Sequence, residues 1–216
     1  MALSLYIVPQ SLELDSSYET GGECYCAFFN KNGNLLIGCH DGVRLYTDNY
    51  HKADRTLGAN HVTSIASVND EPSYLFMAHR DEERKIEKTS SNLSIREEVF
   101  RYGFPGRDCA HLTSSSKFIV THNSDSVVVF SLATKRLTIE ELDFHVAALR
   151  FDSDENLIVT SFDKLHKYSI GDDGNLSLTW ICDNIVGASG IALSKHGYIV
   201  FHSSAVNTLF IVSPQG

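Results

Sequence analysis

Proline is scarce in this chain of 216 residues, with only 4, and methionine and tryptophan are scarcer, at 2 and 1. Proline cannot donate to a strand ladder, so its rarity leaves long stretches free to pair as sheet. No apolar run approaches the roughly 18 residues that span a bilayer. The opening MALSLYIVPQSLELD has neither a basic n-region nor a small-residue cleavage site. A cytoplasmic protein without a membrane partner is therefore expected. Basic side chains are the minority, 18 against 27 acidic ones, and the net charge of −9 opposes binding to a phosphate backbone. The cysteines, Cys24, Cys26, Cys39, Cys109 and Cys182, are odd in number and lack zinc or redox spacing. Buried free thiols are expected, with no metal site and no cofactor. No G-x-S-x-G elbow, H-E-x-x-H, phosphate loop or dinucleotide fingerprint is present, so no catalytic residue is assigned.

What the chain does contain is a returning histidine. His40, His79, His122 and His202, with Ser161 once in the same place, close the apolar runs LLIGCH, YLFMAH, KFIVTH, YIVFH and NLIVTS. The interval is about forty residues, the period of a radial β-repeat. Each unit places a strand-like segment (CYCAFFN, VTSIASV, CAHLTS, VAALRF, SGIALS) before a turn made of KNGN, NDEPS, SSSK, DSDEN or SKHG. After the run ending at the anchor comes a short connection containing Asp41, Asp81, Asp125 or Asp163. A third strand then carries an aromatic in VRLYT, SVVVF, KLHKYS and TLFIV, but not in RKIEKT. Fourth segments such as LTIEELD are more polar, as a half-exposed outer edge requires.

Four antiparallel strands per forty residues describe a β-propeller blade. The expected fold is an all-β propeller of five four-stranded blades in a single domain, 1–216. Blades fall near 22–60, 61–106, 107–143, 144–184 and 185–216. Region 1–21 supplies a closing strand, because SLYIVPQ echoes TLFIVSPQ near the other end. The competing expectation is a truncated six-bladed propeller. FHVAALRFDSDENLIVTSFDKLHKYSI (144–170) resembles a WD-repeat blade, with His145 before the first strand, Ser161 ending the second, Asp163 in the turn and Tyr168 at the usual Trp. HVTSIASVNDEPSYLFMAHRD and NGNLLIGCHDGVRLYTD are similar, although no Trp-Asp dipeptide occurs. SGIALSKHGYIVFHSSAVNTLFIVSPQG (189–216) resembles the NHL repeat.

The resemblance implies that loop His, strand-end Ser or His and turn Asp bond one another to fix each blade. The same groups are the ligand-binding candidates: His40, Asp41, His79, Asp81, His122, Asp125, Asp163 and His202. One metal ion cannot bridge them, since neighbouring sheets lie about 10 Å apart and metal bonds are about 2 Å. The function expected is a non-catalytic scaffold presenting loops to a protein or peptide partner. RYGFPGRD supplies Tyr102, Phe104 and Arg107 as partner-binding candidates. Two alternatives stand: a lectin-like or small-ligand binder taking carbohydrate at one site per blade, and a channel-mouth hydrolase using acids such as Glu23, Asp108 and Asp143. The run HRDEERKIEK (79–88) reads as a solvated hairpin. If region 1–21 closes the fold, deleting residues 1–20 lowers the urea midpoint; an unchanged midpoint contradicts closure.

Overall fold

The computed structural model describes residues 22–30, 32–47, 52–68, 73–80, 82–103, 110–183, 185–194, 196–203, 205–206 and 208–213. They form strands and no helix, and so no helix long and apolar enough to cross a membrane. Blade 1 is β1 (Cys24–Phe29), β2 (Leu35–Cys39), β3 (Gly42–Tyr46) and β4 (Arg55–Gly58). Blade 2 is β5 (Val62–Ser67), β6 (Ser73–Arg80), β7 (Glu83–Ser90) and β8 (Arg96–Gly103). Blade 3 is β9 (Leu112–Ser114), β10 (Phe118–His122), β11 (Ser126–Ser131) and β12 (Leu137–Glu141). Blade 4 is β13 (Val146–Phe151), β14 (Leu157–Ser161), β15 (Leu165–Ile170) and β16 (Leu176–Cys182). Blade 5 shows three strands among the described residues: β17 (Ala188–Leu193), β18 (Ile199–Ser203) and β19 (Thr208–Val212). Each blade is an antiparallel meander, and the protein is an all-β propeller of five blades. The proposed closing strand lies outside the described residues.

The chain clusters into two compact units divided after Leu112. In the first, Leu36, Val43 and Leu45 of blade 1 pack with Val62, Ile65 and Phe76 of blade 2. In the second, Val120, Val127 and Val129 of blade 3 meet Leu149, Leu157 and Val159 of blade 4, while Ile158 and Leu165 meet Ile199 and Phe201 of blade 5. Strands two and three are buried on both faces, which explains why their sequences run apolar without alternation. The aromatic of the third strand fills one slot in three blades, as Tyr46 opposite Leu35, Phe130 opposite Ile119 and Tyr168 opposite Leu157. Thr89 holds that slot in blade 2, where Tyr74 stands across from it.

Turn chemistry repeats with the strands. Asn30, Asp152 and Ser194 each end a first strand and accept from the backbone N–H two and four residues on. Three residues after each cap the backbone is left-handed, at Gly33, Glu155 and Gly197. A single-residue bulge interrupts the first-to-second strand pairing at Cys24/Cys26, Val62/Ser64, Val146/Ala148 and Ala188/Gly190.

A backbone clasp joins successive blades. The carbonyls of Asp41, Asp125 and Asp163 accept from the N–H groups of Ala59, Leu142 and Ile185, at 3.2, 2.7 and 3.3 Å. The residue before each aspartate accepts from the start of the next blade: His40 from His61 at 2.7 Å, Ser124 from Val146 at 2.6 Å and Phe162 from Gly187 at 2.6 Å.

The charged run 79–88 differs from its solvated expectation. It forms parts of β6 and β7, and Arg84 and Glu87 are 0% and 1% exposed. Glu87 is satisfied by Lys85 at 2.8 Å and Arg96 at 2.6 Å. Charge alternation reported which residues could pair, while cover on both faces of β7 buried Arg84 on one face and Glu87 on the other.

Gly42 opens β3 at φ +149°, and a Cβ there would run into the Leu57 carbonyl oxygen. Gly42→Ala is expected to lower stability by at least about 1–3 kcal/mol from strain alone. Gly58→Ala, where a Cβ meets open space, stays within about 0.5 kcal/mol. Urea midpoints measure both.

Candidate functional site

Strand register separates the four anchor histidines into two groups. Ser161 lies opposite Val146 at the start of its blade, as Cys39 does with Cys24, Ala78 with Val62 and Ser203 with Ala188. Asn123 holds this place in blade 3, closing its turn onto Ser126 as Ser161 closes onto Lys164. His40 and His79 come one residue after the slot, and His122 and His202 one residue before it. Sequence spacing registers the period but not a slip of one or two residues within it.

The aspartates keep one register: Asp41, Asp125 and Asp163 all occupy the clasp and are exposed. Their side chains act locally. Asp41 pairs with Arg44 at 2.9 Å, and Asp163 accepts from the Ser161 hydroxyl at 3.0 Å. His145 is exposed whereas Ser161 is buried. His122 is buried, with its Nδ1 at 2.8 Å from the Asn123 carbonyl oxygen. His202 is exposed. Tyr102 is a correction to the expected surface loop: it lies buried on β8, stacked on Phe100 and donating to the Met77 sulfur at 3.9 Å. Its apolar ring fits the alternating inward face of that strand. Phe104, Arg107, Asp81 and Asp108 lie outside the described residues.

Blades 1 and 2 bring together histidines that spacing kept apart. His61, in left-handed backbone at φ +49°, places its Nδ1 at 3.3 Å from His40 Nδ1. Its ring centroid is 5.9 Å from that of His79 and 4.2 Å from that of Tyr25, whose hydroxyl donates to Glu23 at 2.8 Å. The His79 imidazole is pushed down to about 4 by burial, then by Arg84 and His61, and its Nε2 has no hydrogen-bond partner. Among the described residues no group of three His, Cys, Asp or Glu side chains could hold a metal ion.

Blade 4 carries a cleft of about 320 Å³. Asp143 and Phe144 enter from the connection between β12 and β13, Asp163 and Lys164 from the turn after β14, His166 and Tyr168 from β15, and Leu178 and Ile181 from β16. Phe144 lies flat on the His166 ring, with centroids 4.1 Å apart. His166 is 4% exposed and its Nδ1 has no hydrogen-bond partner. Burial, then Lys164, lowers the His166 pKa, while burial pushes Tyr168 up to about 12. Both rings are therefore neutral near pH 7. The carboxylates of Asp143 and Asp163 stand at the rim, and Lys164 leans toward Asp183 at 3.6 Å. The turn that supplies Asp163 also presents Phe162, 63% exposed, whose carbonyl is clasped by Gly187. Val186 beside it and Val206 of the next hairpin are exposed too. Sequence reading found Asp163 and Asp143 but missed His166, for which the signal was a polar residue at an inward position of KLHKYS.

The sequence matches no family model and no curated protein. Solved structures do resemble it. A chain of a nidogen/laminin complex gives a TM-score of 0.68 at 8% identity, over 89% of this chain and 76% of that one. Streptogramin B lyase gives 0.68 at 16% identity, over 90% and 67%. A chain of a mitotic checkpoint complex gives 0.57 at 11% identity, over 88% and 76%. At such identities the shared property is the β-propeller fold.

The depressed His79 pKa carries a definite sign. The unfolded chain binds the proton near pH 6.5 and the native one only near 4, so stability falls as pH drops through that window. The urea midpoint is expected to fall between pH 7 and 5, with a shallower fall in His79→Gln. Parallel profiles for the two proteins contradict this assignment.

Proposed function

We propose that the chain is a non-catalytic scaffold that takes a protein or peptide partner on the turns and inter-blade connections of blades 4 and 5. The observation that carries this reading is the blade 4 cleft, lined by the exposed carboxylates of Asp143 and Asp163 and by Leu178 and Ile181, beside exposed Phe162 and Val186. A lysine or arginine of the partner would donate to Asp143 or Asp163, its stem lying along Leu178 and Ile181. An aliphatic neighbour would cover Phe162 and Val186. Buried apolar anchors beside charge-complementary rims are the usual source of specificity in such contacts. Propellers of similar fold in the nidogen/laminin and mitotic checkpoint complexes support a role of this general kind.

A ligand site repeated in each blade needs one side chain in one slot. Here the slot holds Cys39, Ala78, Asn123, Ser161 and Ser203 in turn, so the lectin-like alternative has little to support it. For the hydrolase alternative, Glu23 is engaged by Tyr25 and Asp143 stands at the open rim of the cleft.

Fluorescence anisotropy against a peptide library with one position fixed as Arg, Lys, Gln or Glu tests the proposal. The basic pools, flanked by an aliphatic residue, are expected to bind. Asp143→Asn/Asp163→Asn is expected to weaken that binding by about tenfold or more, consistent with about 1.4 kcal/mol or more of lost charge pairing. Equal binding of Glu and Arg pools, or binding untouched by that double variant and by Phe162→Ala, sinks it.

A further inference from the structure

Cys24 and Cys39 face each other across β1 and β2, in direct register, with their sulfur atoms 3.4 Å apart. The His40 N–H donates to the Glu23 carbonyl at 3.0 Å, so a backbone bond closes the ladder beside the pair. Residues directly opposite each other in an antiparallel pair have Cα atoms about 4.5–5.5 Å apart. A disulfide accepts Cα separations of about 4.4–6.8 Å and needs the sulfurs to close to about 2.05 Å. Side-chain rotation suffices for that. Cys24 is exposed and Cys39 is fully buried, so one sulfur meets solutes while the other waits behind it. Burial, and then Cys24, push the Cys39 thiol up, and Arg44, held by Asp41 at 2.9 Å, is the neighbouring cation that offsets part of that rise. Cys26 is directed elsewhere, toward the Val62 carbonyl oxygen, and Cys182 lies on β16 in the other unit.

We propose that Cys24 and Cys39 are a reversible dithiol–disulfide pair, oxidised by low-molecular-weight disulfides of the glutathione class. The Cys24 thiolate attacks one sulfur of the small disulfide, forming a mixed disulfide and expelling one small thiolate. Deprotonated Cys39 then attacks the Cys24 sulfur, forming the Cys24–Cys39 bond and expelling the second small thiolate. Two electrons and two protons leave the protein dithiol, and the small disulfide becomes two thiols. Reduction runs the same two exchanges backwards. The bridge would tie the first strand of blade 1 to the second at its bulge, one residue from His40 and its contact with His61.

The test uses the full chain, folded, in glutathione buffers stepped from fully reduced to oxidised, quenched by acid and alkylated. Peptide mass analysis is expected to show a single Cys24–Cys39 linkage two hydrogens lighter than the dithiol, rising and falling reversibly with the buffer ratio. Cys26→Ser and Cys182→Ser keep the linkage. Cys24→Ser, at an exposed position that tolerates the change, abolishes it and leaves Cys39 unmodified. A glutathione adduct that accumulates on Cys24 without converting to the bridge overturns the proposal. So does a linkage joining Cys24 to any other cysteine, or a bridge that forms only after urea unfolds the chain.

Discussion

Two backbone hydrogen bonds set the geometry on which each described junction between blades rests. In the junctions after blades 1, 3 and 4, the turn between the second and third strands offers two consecutive carbonyls, and the chain entering the next blade donates to both. Each bond contributes only about 0.5–1.5 kcal/mol net. The apolar clusters between blades contribute more, at about 1.5–3 kcal/mol for each large side chain buried. Apolar contact is non-directional, however, and tolerates sliding. The paired carbonyls fix where the next strand begins, so the clusters form in one register. Gly42 shows how closely the turn is built, since the backbone it passes leaves no room for a methyl group.

Because the clasp uses main-chain atoms, side chains at the turn are free to differ. That explains which part of the molecule could be read in advance. Strand order, turn positions and the propeller fold follow from period and turn residues, which respond to backbone requirements: Asn30, Asp152 and Ser194 cap because of what their side chains do to the local backbone. The aspartates stayed aligned, at the position whose carbonyl accepts from the next blade. The histidines did not, because nothing in the backbone requires a histidine. His40 and His79 belong to one position and His122 and His202 to another, and a slip of two residues keeps the same strand face and the same apolar prelude. Burial of Glu87 and Tyr102 was hidden because part of what satisfies them, Arg96 for Glu87 and Met77 for Tyr102, comes from another strand, where no local pattern shows it.

The chemistry that results is distributed unevenly. Blades 1 and 2 gather His40, His61 and His79 beside the Cys24/Cys39 pair, whereas blade 4 opens a cleft around His166 and blade 5 adds exposed aliphatic side chains next to it. A repeated scaffold thus carries unrepeated sites.

Arg96 adds a different property. Its guanidinium reaches the buried Glu87 carboxylate at 2.6 Å, the Gly58 carbonyl oxygen at the end of blade 1 at 2.6 Å, and the face of Phe76 at 5.8 Å. Repeat proteins are prone to pairing a blade with the wrong neighbour, or with the same blade of another molecule, because apolar faces look alike. A charged side chain that is satisfied only when blade 1 ends beside β8 removes that degeneracy. Any other neighbour in its place must offer Arg96 a carbonyl there or leave the Glu87 pair short of support. The joint between the first two blades is in this sense keyed by one arginine.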